Sequence, residues 1–141
     1  MDINKLSMPE KVIAASGILL FIASFLTWFE AEIGDFVAVS WNGWNVPFLV
    51  GPLPVLLGLV MLAHVIISNF AEGVKLPELP WAKVHMVAGI AAGALLVLKL
   101  LVGEDPLDRS FGLFIAVIAG IGLAAGGFLY NKEHSDTATT M

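Results

Sequence analysis

Four long apolar runs, none with an acidic residue in its interior, constrain this chain more than any other feature. They cover residues of about 11–29, 48–70, 83–102 and 111–130. Each is close to the roughly 20 residues an α-helix needs to cross about 30 Å of hydrocarbon. A backbone surrounded by lipid must satisfy its own hydrogen bonds, which leaves helices or a closed barrel. A barrel would alternate polar and apolar residues in short segments, whereas these runs are continuous. The pattern therefore predicts an all-α membrane protein, a four-transmembrane-helix up-down bundle.

Composition agrees. Of 141 residues, 58% are hydrophobic and only 13% charged, against about 25% charged in an ordinary soluble domain, and mean hydropathy is +0.90. Such a chain has too little polar surface to face water, so the lipid bilayer is its first partner. The net charge of −5 argues against nucleic acid, which needs clustered Lys and Arg to neutralise phosphate. The absence of cysteine excludes disulfides, thiolate metal sites and Cys nucleophiles. Lys5 and Lys11 precede the first run, but it ends in Thr27-Trp28-Phe29-Glu30 without a small-x-small cleavage site. It is read as a retained span rather than a signal peptide.

Basic residues set the expected orientation. Lys5, Lys11, Lys75, Lys83 and Lys132 flank the runs on one side, and only Lys99 and Arg109 lie towards the other. This predicts a multi-pass protein of the plasma (inner) membrane with both termini cytoplasmic. The outer loops are acidic, with Glu30, Glu32 and Asp35 in the first and Glu104, Asp105 and Asp108 in the second. Trp28, Trp41 and Trp44 fall on the outer side and Trp81 on the inner, where interfacial aromatic belts are expected.

In the first outer loop, Gly34-Asp35 is a candidate two-residue turn between Glu30–Ile33 and the β-branched, aromatic run Phe36–Trp41, which predicts a small β-hairpin. Two strands alone are marginal. The ribbon must lean on headgroups, the second outer loop or a partner. Asn42-Gly43 supplies a further turn before Trp44. The inner loop carries Gly73, Pro77 and Pro80 and is expected to be irregular. Residues 1–132 are read as one transmembrane domain, and the polar stretch 133–141 as a flexible tail.

Few residues carry chemistry. Gly89 and Gly93, and Gly122 and Gly126, form two GxxxG pairs suited to close helix packing in lipid, either of span three on span four or between subunits. Pro52 and Pro54 open span two and predict a bent helix start. Lys99 is the one formal charge inside a span, about three residues from its end. It is expected to snorkel or to pair with Glu104 or Asp105. His64 and His85 both fall in the inner half and approach each other if their helices are neighbours. Two histidines do not make a metal site, so the expectation is one hydrogen-bonded buried His and one interfacial His, with haem ligation disfavoured by depth. The outer acids lack the alternating ladder of a calcium loop. No triad, metal set or cofactor motif is present, and no enzymatic activity is expected.

Trp41-Asn42-Gly43-Trp44 in a β-like first outer loop loosely resembles the claudin and related tetraspan layout, without that family's two cysteines. The segment Ser24-Phe25-Leu26-Thr27-Trp28-Phe29, closing span one before a Trp-containing loop, is similar to small bacterial, actinobacterial-type four-span proteins of unknown function. That resemblance implies the four-span layout and no particular biochemistry. The leading expectation is an accessory or scaffold subunit packing against other membrane proteins or itself, with Phe36, Trp41 and Trp44 as a partner-facing loop. The alternative is a small transporter or channel formed by oligomerisation, in which Lys99, His64 or Pro52 would face water.

Overall fold

The structure, a computed structural model, describes residues 6–33, 37–70, 80–103 and 108–139. The expected turn at Gly34-Asp35, Phe36, the acids Glu104 and Asp105, Lys5, and the inner-loop residues Gly73, Lys75 and Pro77 lie outside the described residues.

Helix α1, Met8–Ala23, starts at a complete capping box. The Ser7 hydroxyl accepts from the Glu10 N–H, and the Glu10 carboxylate accepts from the Ser7 N–H at 3.1 Å, satisfying two donors that a helix start otherwise leaves open. The helix ends earlier than the apolar run does. After Ala23 the chain turns through Ser24–Thr27, with the Leu26 N–H on the Ala23 carbonyl at 3.0 Å. The 16 residues of α1 rise about 24 Å, short of the hydrocarbon thickness.

β1, Phe29–Ile33, and β2, Val37–Trp41, then form an antiparallel hairpin with Phe29 opposite Trp41 and Ile33 opposite Val37. The second loop completes it. β3, Asp108–Arg109, pairs with the other edge of β1, giving a three-stranded sheet in the order β2-β1-β3. Of the three supports open to the ribbon, the second loop is the one that covers its edge.

The turn at Asn42-Gly43 forms as expected: the Asn42 side-chain oxygen accepts from the Trp44 N–H at 2.8 Å. A short 3-10 turn, Phe48–Val50, precedes α2, Pro52–Phe70. Pro52 and Pro54 occupy the first turn of α2, whose N–H groups have no intrahelical acceptor, so they cost no backbone bond there. α3 covers Trp81–Val102 and α4 Phe111–Thr139. α4 thus continues through most of the stretch expected to be a flexible tail. Once a helix is nucleated, each added residue gains one backbone bond, and 133–139 holds neither Gly nor Pro to stop it.

Successive helices run antiparallel. Glu10 at the start of α1 accepts from the Asn69 amide at the end of α2, at 2.6 Å. α3 packs most extensively on α4, α1 on both α4 and α2, and α2 on α3. The core between them is apolar, with Ile13, Leu20, Met61, Leu96, Leu113 and Leu123 all buried. The outward side chains are apolar too: Ile18, Val60, Val87, Leu98, Ile118 and Ile121 are exposed. An apolar exterior of this extent belongs against lipid rather than water. α2, α3 and residues Phe111–Glu133 of α4 are each long and apolar enough to cross a membrane.

Candidate functional site

The two buried histidines meet at the end of the molecule opposite the sheet. His64 sits six residues before the end of α2 and His85 four residues into α3. Because these helices are antiparallel neighbours, the two imidazoles meet at the same depth. His85 Nε2 lies 2.8 Å from His64 Nδ1, a distance at which one ring nitrogen donates a proton and the other accepts it. The pair is walled by aromatics. Trp81, the first residue of α3, stacks on His64 with ring centroids 4.1 Å apart and planes 20° from parallel, and Tyr130 of α4 lies 4.4 Å from His85. Both histidines and Tyr130 are buried.

This corrects the expectation of one buried and one interfacial histidine. The depths match because α3 begins at Trp81, two residues before the apolar run, which carries His85 one half-turn further into the bundle. The facing nitrogens bond each other rather than a gap between them. Among the described residues, no three His, Asp or Glu side chains gather to hold a metal ion. What the arrangement does chemically is join α2 to α3 by a polar bond in a low-dielectric setting, where losing one partner is costly. Replacing His85 or His64 singly by leucine is therefore expected to cost about 1–3 kcal/mol of stability. The double replacement should cost clearly less than the sum, as read by detergent-phase unfolding. Strict additivity would show that the bond contributes nothing.

Lys99 lies at the sheet end. Its side chain does not snorkel to solvent; it is buried, donates to the Gly103 carbonyl at 3.1 Å, and holds Nζ 5.3 Å above the ring of Phe29. Arg109 joins it: its Nε donates to the Leu100 carbonyl and Nη2 to that of Leu101 at 3.0 Å. Two cations thus meet the negative end of the α3 dipole and its open carbonyls. Gly103, with φ of 73° and ψ of −164°, ends the helix in a conformation open essentially to glycine alone.

The glycines divide between two seams. Gly89 and Gly93 face α4: a Cβ on Gly93 would lie 2.8 Å from the Gly120 carbonyl oxygen, and one on Gly89 would overlap that of Leu123. Gly122 and Gly126 face α1 instead, against Ser16 and Ile13. The α4 glycines that meet α3 are Gly120, against Leu96, and Gly127, against the His85 carbonyl.

Of the expected partner-facing aromatics, Trp41 is half-buried and Trp44 exposed. Trp28 is not part of an interfacial belt. It is fully buried, its indole N–H donating to the Ala23 carbonyl at 2.8 Å, because the early end of α1 folds it back beneath the sheet. Phe21, Phe25 and Trp44 form an exposed ladder, with ring centroids 5.2 Å apart for the first pair and 6.2 Å for the second. Sequence reasoning missed Tyr130 and Arg109 as participants. Tyr130 was open to discovery by matching depth, since the end of span four must lie level with the start of span three. Arg109 had a signal only in lying just beyond the helix end that Lys99 approaches. Comparison with protein-family models finds no match, and no curated protein or solved structure matches the chain.

Proposed function

We propose that this chain is a non-enzymatic accessory subunit of the plasma (inner) membrane, packing laterally against other membrane proteins. In this reading α1 is the fourth span, lengthened by Leu6 before it and by Phe25 and Leu26 after it, and both termini are cytoplasmic. The observation that carries the proposal is the ladder Phe21–Phe25–Trp44. It is held in place, with the Trp44 indole donating to the Ser24 hydroxyl at 3.1 Å, yet its rings stay exposed. Aromatic side chains that are pre-ordered lose little entropy on binding and are enriched at the centres of interfaces. The interior supports the same reading over a transporter. His64, His85 and Lys99 are engaged with protein groups, and none of them lines any of the three interhelical grooves described below.

A photo-reactive amino acid placed at Phe25 or Trp44 in cells is expected to give discrete adducts with other membrane proteins. The same probe at Ile118, on the outside of α4, should give few. Adducts with lipid or with the chain itself alone would sink the accessory reading, and self-adducts alone would favour oligomerisation.

A further inference from the structure

The three grooves open between neighbouring helices, and each carries one lysine towards the end opposite the sheet: Lys11 between α1 and α2, Lys83 between α2 and α3, and Lys132 between α4 and the start of α1. The first is the most enclosed of the three and has a volume of 370 Å³, within the roughly 300–1,000 Å³ of small-molecule sites. We infer that the α1–α2 groove binds one anionic phospholipid from the leaflet at that end, with an acyl chain in the groove and the phosphate on Lys11.

The groove exists because of a size mismatch. Ala14 and Ala15 form a low floor on α1, opposite Leu62 and Ile66 on α2. Lys11, Ala14, Ala15 and Ile18 lie three, four and seven residues apart and so share one stripe of the helix. From Lys11 to Ile18 that stripe rises about 10 Å, room for a stretch of hydrocarbon chain. The two helices cannot close over it freely. They are tied at one level by the Glu10–Asn69 bond and touch at another, where a Cβ on Gly17 would lie 3.2 Å from that of Leu62.

Charge then selects the headgroup. Lys11 is the one charged residue lining the groove among the described residues, and it makes no ion pair among them. The neighbouring carboxylate of Glu10 directs its two oxygens to the Ser7 N–H and the Asn69 amide rather than to Lys11, which leaves the Lys11 ammonium available to a phosphate. Apolar walls in a membrane-embedded chain call for an acyl chain, and a lysine at the mouth calls for a phosphate rather than a neutral lipid. The inference rests on membrane embedding alone. The groove and the aromatic ladder lie at opposite ends of α1, so either proposal can fail without the other.

The test is native mass spectrometry of the full chain released from nanodiscs of equal phosphatidylglycerol and phosphatidylcholine. The wild-type protein is expected to retain one phosphatidylglycerol preferentially. Lys11→Gln should keep a bound lipid but lower the preference about fivefold, whereas Lys83→Gln should leave it unchanged. Ala15→Leu, at an exposed position where the fold loses nothing, should abolish retention by filling the floor, with circular dichroism confirming the helices. An unchanged preference in Lys11→Gln, continued retention in Ala15→Leu, displacement by inorganic phosphate, or equal retention of both lipids would each overturn the assignment.

Discussion

Gly89→Leu is expected to open the seam between α3 and α4 and to cost about 3 kcal/mol, the upper end of ordinary overpacking. Even the first carbon of the new side chain would fall on the Leu123 carbonyl oxygen and carbon. These are backbone atoms of a continuous helix and cannot swing aside as a flexible side chain can. α3 must move away, and with it the small-residue contacts of Gly93 with Gly120 and Ala124. In lipid there is little hydrophobic drive to bring separated helices back together, so the lost packing is not recovered elsewhere. The same movement draws His85 from Tyr130 and His64. Gly17→Ala is the control: its new carbon would meet the Leu62 Cβ at 3.2 Å and the Gly58 carbonyl at 3.3 Å, a tight fit relieved by a shift of a few tenths of an ångström. SDS-induced unfolding of the detergent-solubilised protein should show a large loss for Gly89→Leu and a small one for Gly17→Ala. Equal midpoints would mean that the α3–α4 seam is not as close as the structure places it.

Trp28→Ala is expected to cost about 3–5 kcal/mol and to loosen the sheet end before the helices. Trp28 is where four segments meet. Its indole donates to α1 at Ala23, its N–H donates to the Trp41 carbonyl at 2.7 Å, and its carbonyl accepts from the Ser110 N–H at 2.7 Å, just before α4. Gly43 lies against its ring so closely that a Cβ there would come within 2.7 Å of Cζ2. Removing the ring leaves a cavity beneath the sheet that none of these backbone-anchored neighbours can fill. Trp28→Phe keeps most of the volume but loses the indole donor, so its cost should be smaller, about 1 kcal/mol from the bond plus the volume lost. Protease cleavage within the first loop, measured in detergent, should rise sharply for Trp28→Ala and modestly for Trp28→Phe. Resistance equal to wild type would show that the sheet stands without its central tryptophan.

The helices were legible because their signal is local. Continuous apolar runs place α2, α3 and the first part of α4 to within a few residues, and Asn42-Gly43 and the β-branched run before it mark the turn and hairpin. The end of α1 was not legible. Nothing in Ser24-Phe25-Leu26-Thr27 says that the chain stops being helical there; what stops it is the burial of Trp28 against Ala23 and the sheet. β3, two residues long, carries no periodicity to read, and it exists because the edge of β1 offers it hydrogen bonds. At the candidate site, the sequence marked His64, His85 and Lys99 as unusual because polar groups at depth are costly, but it could not say which neighbour satisfies each of them.

What the sequence alone determines is the solvent. Low charge and long apolar runs assign the exterior to hydrocarbon and the backbone to helices, since each residue's contribution there is independent of its distant neighbours. Only the tertiary structure decides the pairings: His64 with His85, Arg109 with the last carbonyls of α3, Gly122 with α1 rather than α3, and Lys11 with a groove. Each depends on how helices far apart in the chain are rotated and set in depth against one another. A small rotation of one helix exchanges which residues touch while leaving every local preference unchanged.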